Sequence, residues 1–415
     1  MSIRFAGRHF YFRINNYPNN CLDCFTFVTV KAITRVVWIL SLVSLFTDTA
    51  SEMLYPVMPI YLKSIGFSMI LIGVLEGLAE AIAGLSKGYF GKLSDSMQRR
   101  VPFVQLGYSL SAISKPIMAF FTYPLWIFFA RTLDRVGKGI RTGARDALLS
   151  AEAIPETKGR IFGFHRSMDT LGAVLGPAIA LAYLYFYPER YQQLFYVALV
   201  PGLLAIGASL YLKENRLSVS VKKDRPTFFS FLKYWKQSSV PYRKLVVGLL
   251  AFALFNSSDV FLLLKAKQSG LSDTMVIGIY IFYNLIYALA AFPMGIIADK
   301  IGLKKILVIG MGLFAIVYFG MGFSPPIYIY FVLFLLYGVY AAATEGISKA
   351  LISNLSAPNE TATAIGTYSA FQSICALFAS TIAGILWTQA GMSATFIVTG
   401  IATVLVIIYF VVVVD

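Results

Sequence analysis

Apolar runs of roughly 20 residues, the length of a membrane span, recur along the chain and alternate with shorter segments that hold most of the charged residues. Folded as an α-helix, such a run crosses the hydrocarbon core of a bilayer, which is ~30 Å thick. The runs at 306–322 and 395–414 do not alternate between apolar and polar residues, as strands of a membrane β-barrel would. The pattern therefore predicts an all-α polytopic membrane protein.

Counting the runs from the N-terminus gives twelve predicted transmembrane helices. Helices 1 to 6 are predicted at 36–61, 70–90, 101–121, 125–147, 161–187 and 191–213. Helices 7 to 12 are predicted at 245–265, 274–297, 306–322, 327–349, 362–387 and 392–414.

Composition and charge support this class and orient the helices. Only 13% of the 415 residues are charged, about half of the ~25% found in soluble domains. The net charge of +15 comes from basic residues clustered in the loops on one side of the predicted helices, so it does not indicate nucleic-acid binding. Because cytoplasmic loops are rich in Lys and Arg, we expect both termini in the cytoplasm and the protein in the inner (plasma) membrane, with the lipid bilayer and its anionic headgroups as partner.

The cysteines and the N-terminal segment carry little chemistry. Cys21 and Cys24 have the spacing of two metal ligands, but the second pair that a structural zinc site needs is missing, and Cys375 lies in an apolar run. We therefore expect no metal site and no cofactor. Residues 1–33 lack a continuous apolar core followed by a cleavage site, so we interpret them as a cytoplasmic tail.

An internal repeat divides the chain into two copies of one unit. Gly91 and Asp95 recur as Gly295 and Asp299, at an offset of about 204 residues, and each pair is followed by basic residues. We predict an N-terminal six-helix bundle at 34–213, a basic cytoplasmic linker at 214–244 and a C-terminal six-helix bundle at 245–415. Repeats of this kind are common in secondary transporters, whose binding site lies near the membrane midplane between the repeats.

Three motifs resemble those of the major facilitator superfamily (MFS), and the resemblance covers residues 34–415. The loop after helix 2 resembles the signature G-x-x-x-D-R-x-G-R-R/K and departs from it at Ser96 and Gln98. Helix 4 resembles the R-x-x-x-G motif through Arg135 and Gly139. Helix 5 resembles the antiporter motif G-x8-G-x3-G-P-x2-G-G but has Ala180 and Leu181 in place of the last two glycines. The residues that match the first motif and its second-half copy are Gly91, Asp95, Arg99, Arg100, Asp299 and Lys304; those that match the helix 5 motif are Gly163, Gly172, Gly176 and Pro177.

The resemblance implies an MFS fold of two pseudo-symmetric halves of six helices each, working as a monomer. It also implies that the first motif braces a cytoplasmic gate, that the helix 5 motif belongs to proton-coupled exporters, and that helices 1, 4, 7 and 10 line the cavity. From the residues themselves, a Gly-Pro break in helix 5 beside His165, Arg166 and Asp169 indicates a helix that opens and closes around a polar path. We interpret His165 as a hydrogen-bonded interface residue.

Charged and polar residues inside the predicted helices mark the path. A charge at mid-bilayer costs at least ~2.5–3.5 kcal/mol, so we expect acids of helices 1 and 2 to pair with bases of helix 4, and Glu345 to pair with Lys349 one turn away. We assign to the substrate and proton path Asp48, Glu52, Glu76, Glu80, Arg131, Asp134, Arg135, Lys138, Asp169, Asn256, Asp259 and Glu345. Proton coupling needs a carboxylate that gains and loses charge, and we rank Asp48 first, then Glu52, then Asp169.

The favoured hypothesis is proton-coupled export of small organic molecules by alternating access, in which the two halves rock about the site. An alternative is proton-coupled uptake of an anionic metabolite, which the bases of helix 4 suggest. A third hypothesis is a sensor or lipid-handling protein without transport. An exporter of cations is expected to fail on Asp48→Asn, and an anion importer on Arg135→Ala. With no phosphate-binding loop and only two histidines, nothing in the sequence indicates an enzyme.

Overall fold

The computed structural model describes residues 33–55, 57–213, 226–323 and 326–414. The predicted tail, the Cys21 and Cys24 pair and much of the predicted linker lie outside the described residues, as does the side chain of Glu76.

Twelve helical spans follow one another in the described part of the chain, and each overlaps its predicted helix. Spans α1 to α6 are Arg35–Leu54, Met69–Met97, Val101–Phe120, Pro124–Ala151, Lys158–Phe186, and the pair Tyr191–Val197 with Leu199–Ser209. Spans α7 to α12 are the pair Val240–Phe255 with Val260–Gln268, then Asp273–Ile301, Leu303–Gly322, Ile327–Asn354, Thr361–Gln389 and Met392–Val412. Short helices at Met58–Ser64, Pro155–Thr157, Ser230–Leu232 and Lys233–Gln237 lie between them.

Among the described residues, nine helical stretches are long and apolar enough to cross a membrane. Spans α2, α3 and α4 are not among the nine. The reason is clearest in α4, where seven charged residues lie between Arg131 and Asp146. A helix with so many charges is stable in a bilayer only if the charges face protein or a water-filled cavity.

Three predicted helices differ from the observed ones. Helix 1 was predicted to reach residue 61, but α1 ends at Leu54 and a separate short helix begins at Met58. Helix 7 is interrupted between Phe255 and Val260, where Asn, Ser, Ser and Asp compete for backbone hydrogen bonds. The predicted break in helix 5 was wrong, because α5 runs continuously through Pro177.

Glycines bring α5 unusually close to two other helices. A Cβ atom added to Gly172 would lie 2.6 Å from the carbonyl oxygen of Leu45 in α1. One added to Gly176 would lie 2.6 Å from the backbone nitrogen of Met53, also in α1. On the opposite face, Gly163 packs against the Ala291 carbonyl of α8, at 2.5 Å by the same measure. The first and second halves of the repeat therefore touch along α5 and α8, and residues Arg35–Asp415 form one compact unit.

Candidate functional site

A cavity of about 940 Å³ lies between the two halves of the repeat. Its wall is built by α1, α2, α4 and α5 from the first half and by α7, α10 and α11 from the second. It extends from Arg145 and Lys349 to Tyr55 and Met58, beyond the end of α1. We call the side on which Arg100 and Lys304 lie the basic side and the opposite one the far side. The cavity thus extends toward the far side.

Positive charge dominates the cavity wall. Among the side chains that the structure describes, eight basic ones line it, namely Lys87, Arg131, Arg135, Lys138, Arg141, Arg145, Arg166 and Lys349. Four acidic ones in the same part of the chain line it, namely Asp48, Glu80, Asp169 and Glu345. Of the residues that the sequence assigned to the path, Asp48, Glu80, Arg131, Arg135, Lys138, Asp169 and Glu345 line this one cavity.

Glu80 of α2 pairs with two bases in the cavity wall. Its Oε2 lies 3.6 Å from Nε of Arg135 in α4, and its Oε1 lies 3.8 Å from Nζ of Lys87, about two turns further along α2. Lys87 also donates to the hydroxyl of Ser373 in α11, at 3.1 Å. The predicted meeting of a helix 2 acid with a helix 4 base is therefore present at Glu80.

Asp134 lies behind the wall, away from the cavity. Its Oδ1 is 3.5 Å from Nζ of Lys115 in α3, and its Oδ2 is 3.7 Å from Nη1 of Arg131. Lys115 is only 2% exposed, so this carboxylate balances a charge buried between α3 and α4. Asp134 was assigned to the path, but its contacts are those of a residue that joins two helices of the same half.

A ring of polar contacts lies at the end of the cavity nearest the basic side and connects the two halves. Lys349 of α10 binds Asp146 of α4, with Nζ 2.8 Å from Oδ2, and Arg145 binds the same carboxylate, with Nε 2.9 Å from Oδ1. Arg145 also donates to Ser44 of α1, at 3.4 Å.

The ring closes through α5. Ser44 donates to Asp169, whose Oδ2 lies 2.6 Å from Nη1 of Arg166. Arg166 in turn forms an ion pair with Glu345 of α10. The i,i+4 spacing predicted that Glu345 and Lys349 pair with each other. Instead, each forms an ion pair with a residue of the first half. Any motion that separates the halves here must exchange these ion pairs for others.

Asp48 stands apart from the ring. It lines the cavity, yet it makes no hydrogen bond or ion pair with any residue that the structure describes. Glu52, one turn further along α1, accepts a hydrogen bond from the hydroxyl of Tyr280 in α8, at 3.3 Å.

The remaining polar residues of the predicted path lie in a tyrosine cluster of the second half. Asp259, in the interruption of α7, accepts hydrogen bonds from the hydroxyls of Tyr283 and Tyr337, at 2.5 and 2.6 Å. Asn256 donates to the hydroxyl of Tyr340, at 2.9 Å. Asn256 and Asp259 therefore make these hydrogen bonds within the tyrosine cluster, and neither lines the cavity described above.

The first sequence motif forms a clasp between the halves on the basic side. Asp95, at the end of α2, accepts hydrogen bonds from the backbone N–H and the hydroxyl of Thr363 in the first turn of α11, at 2.6 and 2.8 Å. Arg100 lies 3.7 Å from the same carboxylate and donates to the carbonyls of Ala147 and Pro358, at 3.1 and 2.7 Å. Arg99 is exposed.

The second copy of the motif forms the equivalent clasp. Asp299 of α8 accepts hydrogen bonds from the backbone N–H groups of Gly159 and Arg160, at 2.7 and 3.0 Å, and from Nε of Arg160 at 3.0 Å. Carboxylates at helix N-termini are favoured by the helix dipole and by the unsatisfied N–H groups there. Lys304 does not join this clasp, since it donates to the carbonyl of Val414 in its own half.

Several site residues were missing from the predicted set. Ser44 and Asp146 complete the ring. Nothing in the sequence distinguished them, because Ser44 is a serine in an apolar run and Asp146 is an acid next to Arg145. The polar face of α11 could have been found from the sequence, because Ser369, Gln372, Ser373 and Ser380 recur at helical spacing. These four residues line the cavity.

His165 is buried, and its Nε2 has no hydrogen-bond partner among the described residues. No group of three or more His, Cys, Asp or Glu side chains in the described part could hold a metal ion.

A bundle of membrane helices in two similar halves, clasped on one side around a charged cavity, defines a membrane transporter. The sequence profile of the Major Facilitator Superfamily matches residues 40–283 and 245–415, so the chain belongs to that family. An uncharacterized MFS-type transporter of Methanocaldococcus jannaschii is 33% identical over 364 residues, covering 86% of this chain and 89% of the relative.

Two further comparisons extend this result. The multi-drug resistance efflux pump PmrA of Streptococcus pneumoniae is 25% identical over 287 residues, covering 66% of this chain and 69% of the pump. The crystal structure of the human organic anion transporter MFSD10 superposes with a TM-score of 0.78 at 16% identity, covering 91% of this chain and 99% of that one. The fold is therefore that of an MFS transporter, as the motifs predicted.

Proposed function

We propose that this protein carries small organic anions across the membrane by alternating access. The observation that supports the proposal is the excess of basic over acidic side chains around the cavity, eight against four among the described residues. Fixed positive charge in a cleft of low dielectric constant concentrates anions and excludes cations. Between the two transport hypotheses that the sequence left open, this charge favours the anionic substrate.

Alternating access is supported by the two clasps and by the side toward which the cavity extends. Clasps at Asp95 and Asp299 hold the halves together on the basic side, while the cavity extends toward the far side. We assign the basic side and both termini to the cytoplasm of a cell with the protein in its plasma membrane, by the positive-inside rule. In this orientation the present state faces outward, and halves 34–213 and 245–415 rock about the cavity, joined by the linker at 214–244. We propose that the monomer is the working unit.

Coupling to protons is proposed at Asp48. A proton on this carboxylate removes one negative charge from the cavity and thereby strengthens the attraction of the cavity for an anion. Proton and anion then bind together and move in the same direction, so an inward proton gradient drives uptake. Export is a second candidate, favoured by the relation to a protein named as an efflux pump.

The proposal is tested with the purified chain in liposomes that carry an inside-alkaline or an inside-acid pH gradient. Radiolabelled succinate, gluconate and glycerol phosphate are compared with tetraphenylphosphonium, a lipophilic cation. We expect the anions to accumulate with the inside-alkaline gradient, and Asp48→Asn to lose this accumulation while retaining exchange without a gradient. Arg135→Ala is expected to weaken anion uptake.

Each other outcome has a distinct meaning. Accumulation driven by the inside-acid gradient supports the export candidate, and transport of the cation alone refutes the anionic substrate. Binding of anions without flux would show a sensor, and it would refute transport.

A further inference from the structure

Two of the eight basic side chains in the cavity wall have no carboxylate partner among the residues that the structure describes. Six are within ion-pair distance of an acid, namely Lys87, Arg131, Arg135, Arg145, Arg166 and Lys349. Lys138 and Arg141 make no ion pair with any residue that the structure describes. They are three positions apart on α4, on the face that lines the cavity.

Arg141 is held in a fixed position. Its side chain is almost completely buried, Nη1 donates to the hydroxyl of Ser111 at 2.6 Å, and the guanidinium carbon lies 4.5 Å from the ring centre of Tyr108. These contacts orient the group without neutralising it, and the structure describes no hydrogen-bond partner for its Nε. A fixed guanidinium with spare donors is suited to an oxyanion.

Lys138 is exposed to the cavity, one turn from Arg141. Like charges at this spacing on a helix repel each other, and a ligand with negative charge between them removes the repulsion. Asp48 also lines the cavity, and it makes no hydrogen bond or ion pair with Lys138 or Arg141. The charge of the pair is therefore available to a ligand.

The α11 part of the second-half wall differs, because it presents neutral polar side chains. Ser373 and Ser380 are engaged by Lys87 and by the backbone N–H of Ser258. The side chains of Ser369 and Gln372 make no hydrogen bond with any described residue, although both line the cavity. The cavity thus has a cationic surface on α4 and a surface of uncharged donors and acceptors on α11.

We infer that Lys138 and Arg141 form the subsite for a doubly charged anionic group of the cargo, and that Ser369 and Gln372 bind hydroxyl groups on its uncharged part. The inference rests on the proposed transport of organic anions. It narrows the cargo to a hydroxylated molecule with a dianionic end, the chemistry of a polyol phosphate monoester.

Binding to the purified full-length chain at pH 8 tests the subsite. The probes are glycerol phosphate, a dianion; its methyl diester, a monoanion; and propyl phosphate, a dianion without hydroxyls. We expect glycerol phosphate to bind about tenfold or more tightly than either of the others. Lys138→Gln and Arg141→Gln should abolish the preference for the dianion, and Gln372→Leu the preference for hydroxyls.

Controls separate the subsite from folding and from the proposed function. Arg141→Lys retains the charge and should retain part of the dianion preference if Arg141→Gln proves unstable, and exposed Lys63→Gln should change nothing. Equal binding of the monoester and the diester, or an unchanged preference in Lys138→Gln, overturns the subsite while anion transport stands. If no anion of any charge binds or is transported, the proposed function itself fails.

Discussion

Asp95 and Thr363 are 268 positions apart in the sequence, yet the Asp95 carboxylate accepts two hydrogen bonds from Thr363, from its backbone N–H at 2.6 Å and from its hydroxyl at 2.8 Å. The contact joins the two halves, and Asp299 repeats it with Gly159 at 2.7 Å. Both residues of the second pair follow the repeat, since 95 and 299, like 159 and 363, differ by 204. The clasps are therefore two copies of one contact.

Asp95→Asn should favour opening on the basic side. The variant keeps an acceptor but loses the charge that interacts with the N-terminus of α11 and with Arg100. This loss should destabilise the state closed on the basic side by about 1 kcal/mol or somewhat more. The population open on the basic side should rise about fivefold to tenfold. A cysteine placed at Thr142, in the cavity wall, then reacts faster with an impermeant thiol reagent added from that side.

The exposed carboxylate of Glu189 supplies the control for this experiment, and Glu189→Gln should leave the labelling rate unchanged. An unchanged rate in Asp95→Asn as well would show that the clasp does not hold the closed state.

Gly172→Ala should destabilise the protein, whereas Gly312→Ala should not. The added methyl at 172 meets the backbone of α1 at 2.6 Å, and overpacking of this kind costs about 1–3 kcal/mol. At 312 the space around the Cβ position is open, and alanine favours a helix over glycine by about 0.5–1 kcal/mol. Thermal melting of the two variants in the same detergent measures the difference. Equal melting temperatures would mean that α1 moves away from α5 at little cost.

The sequence predicted the helices well because their signal is local. An apolar run flanked by loops can be recognised without knowing which helices pack against it, and every predicted span overlaps an observed one. Asp95 and Asp299 could also be identified from the sequence, since the repeat places them at equivalent positions. Partners were not predictable. The pairing of Glu345 with Arg166, and of Lys349 with Asp146, depends on how helices of different halves face each other. The spacing on α10 suggested instead that they pair locally.

Asp134→Asn should destabilise the first half by about 3–5 kcal/mol, because it leaves the buried ammonium of Lys115 without its carboxylate. Replacing both partners in Lys115→Met/Asp134→Leu should recover most of the stability. Chemical or thermal unfolding measures both effects. Because Asp134 does not line the cavity, the folded double variant should bind cargo with the affinity of the original protein. A stable Asp134→Asn with weakened cargo binding would instead return Asp134 to the substrate path.

The ion pair between Lys349 and Asp146 should stabilise the state that is closed on the basic side. A double-mutant cycle with Lys349→Gln and Asp146→Asn is expected to give a coupling energy of about 1–3 kcal/mol, since Asp146 is buried, Lys349 is half-buried and the pair crosses the interface. The energy is read from the equilibrium between the two states, followed by the distance between spin labels on the basic-side ends of α4 and α10. Additive effects of the two substitutions would show that the pair does not connect the halves.

The charge of the cavity is tested most directly by reversing it at one position. Lys138 suits this purpose because no described carboxylate depends on it, so Lys138→Glu changes the field without breaking an ion pair. The ratio of succinate flux to tetraphenylphosphonium flux is measured in liposomes for the original protein and for the variant. If the cavity selects anions, the ratio is high in the original protein and falls by about tenfold or more in Lys138→Glu. A ratio that is low in the original protein, or the same in both, would contradict a cavity that selects anions.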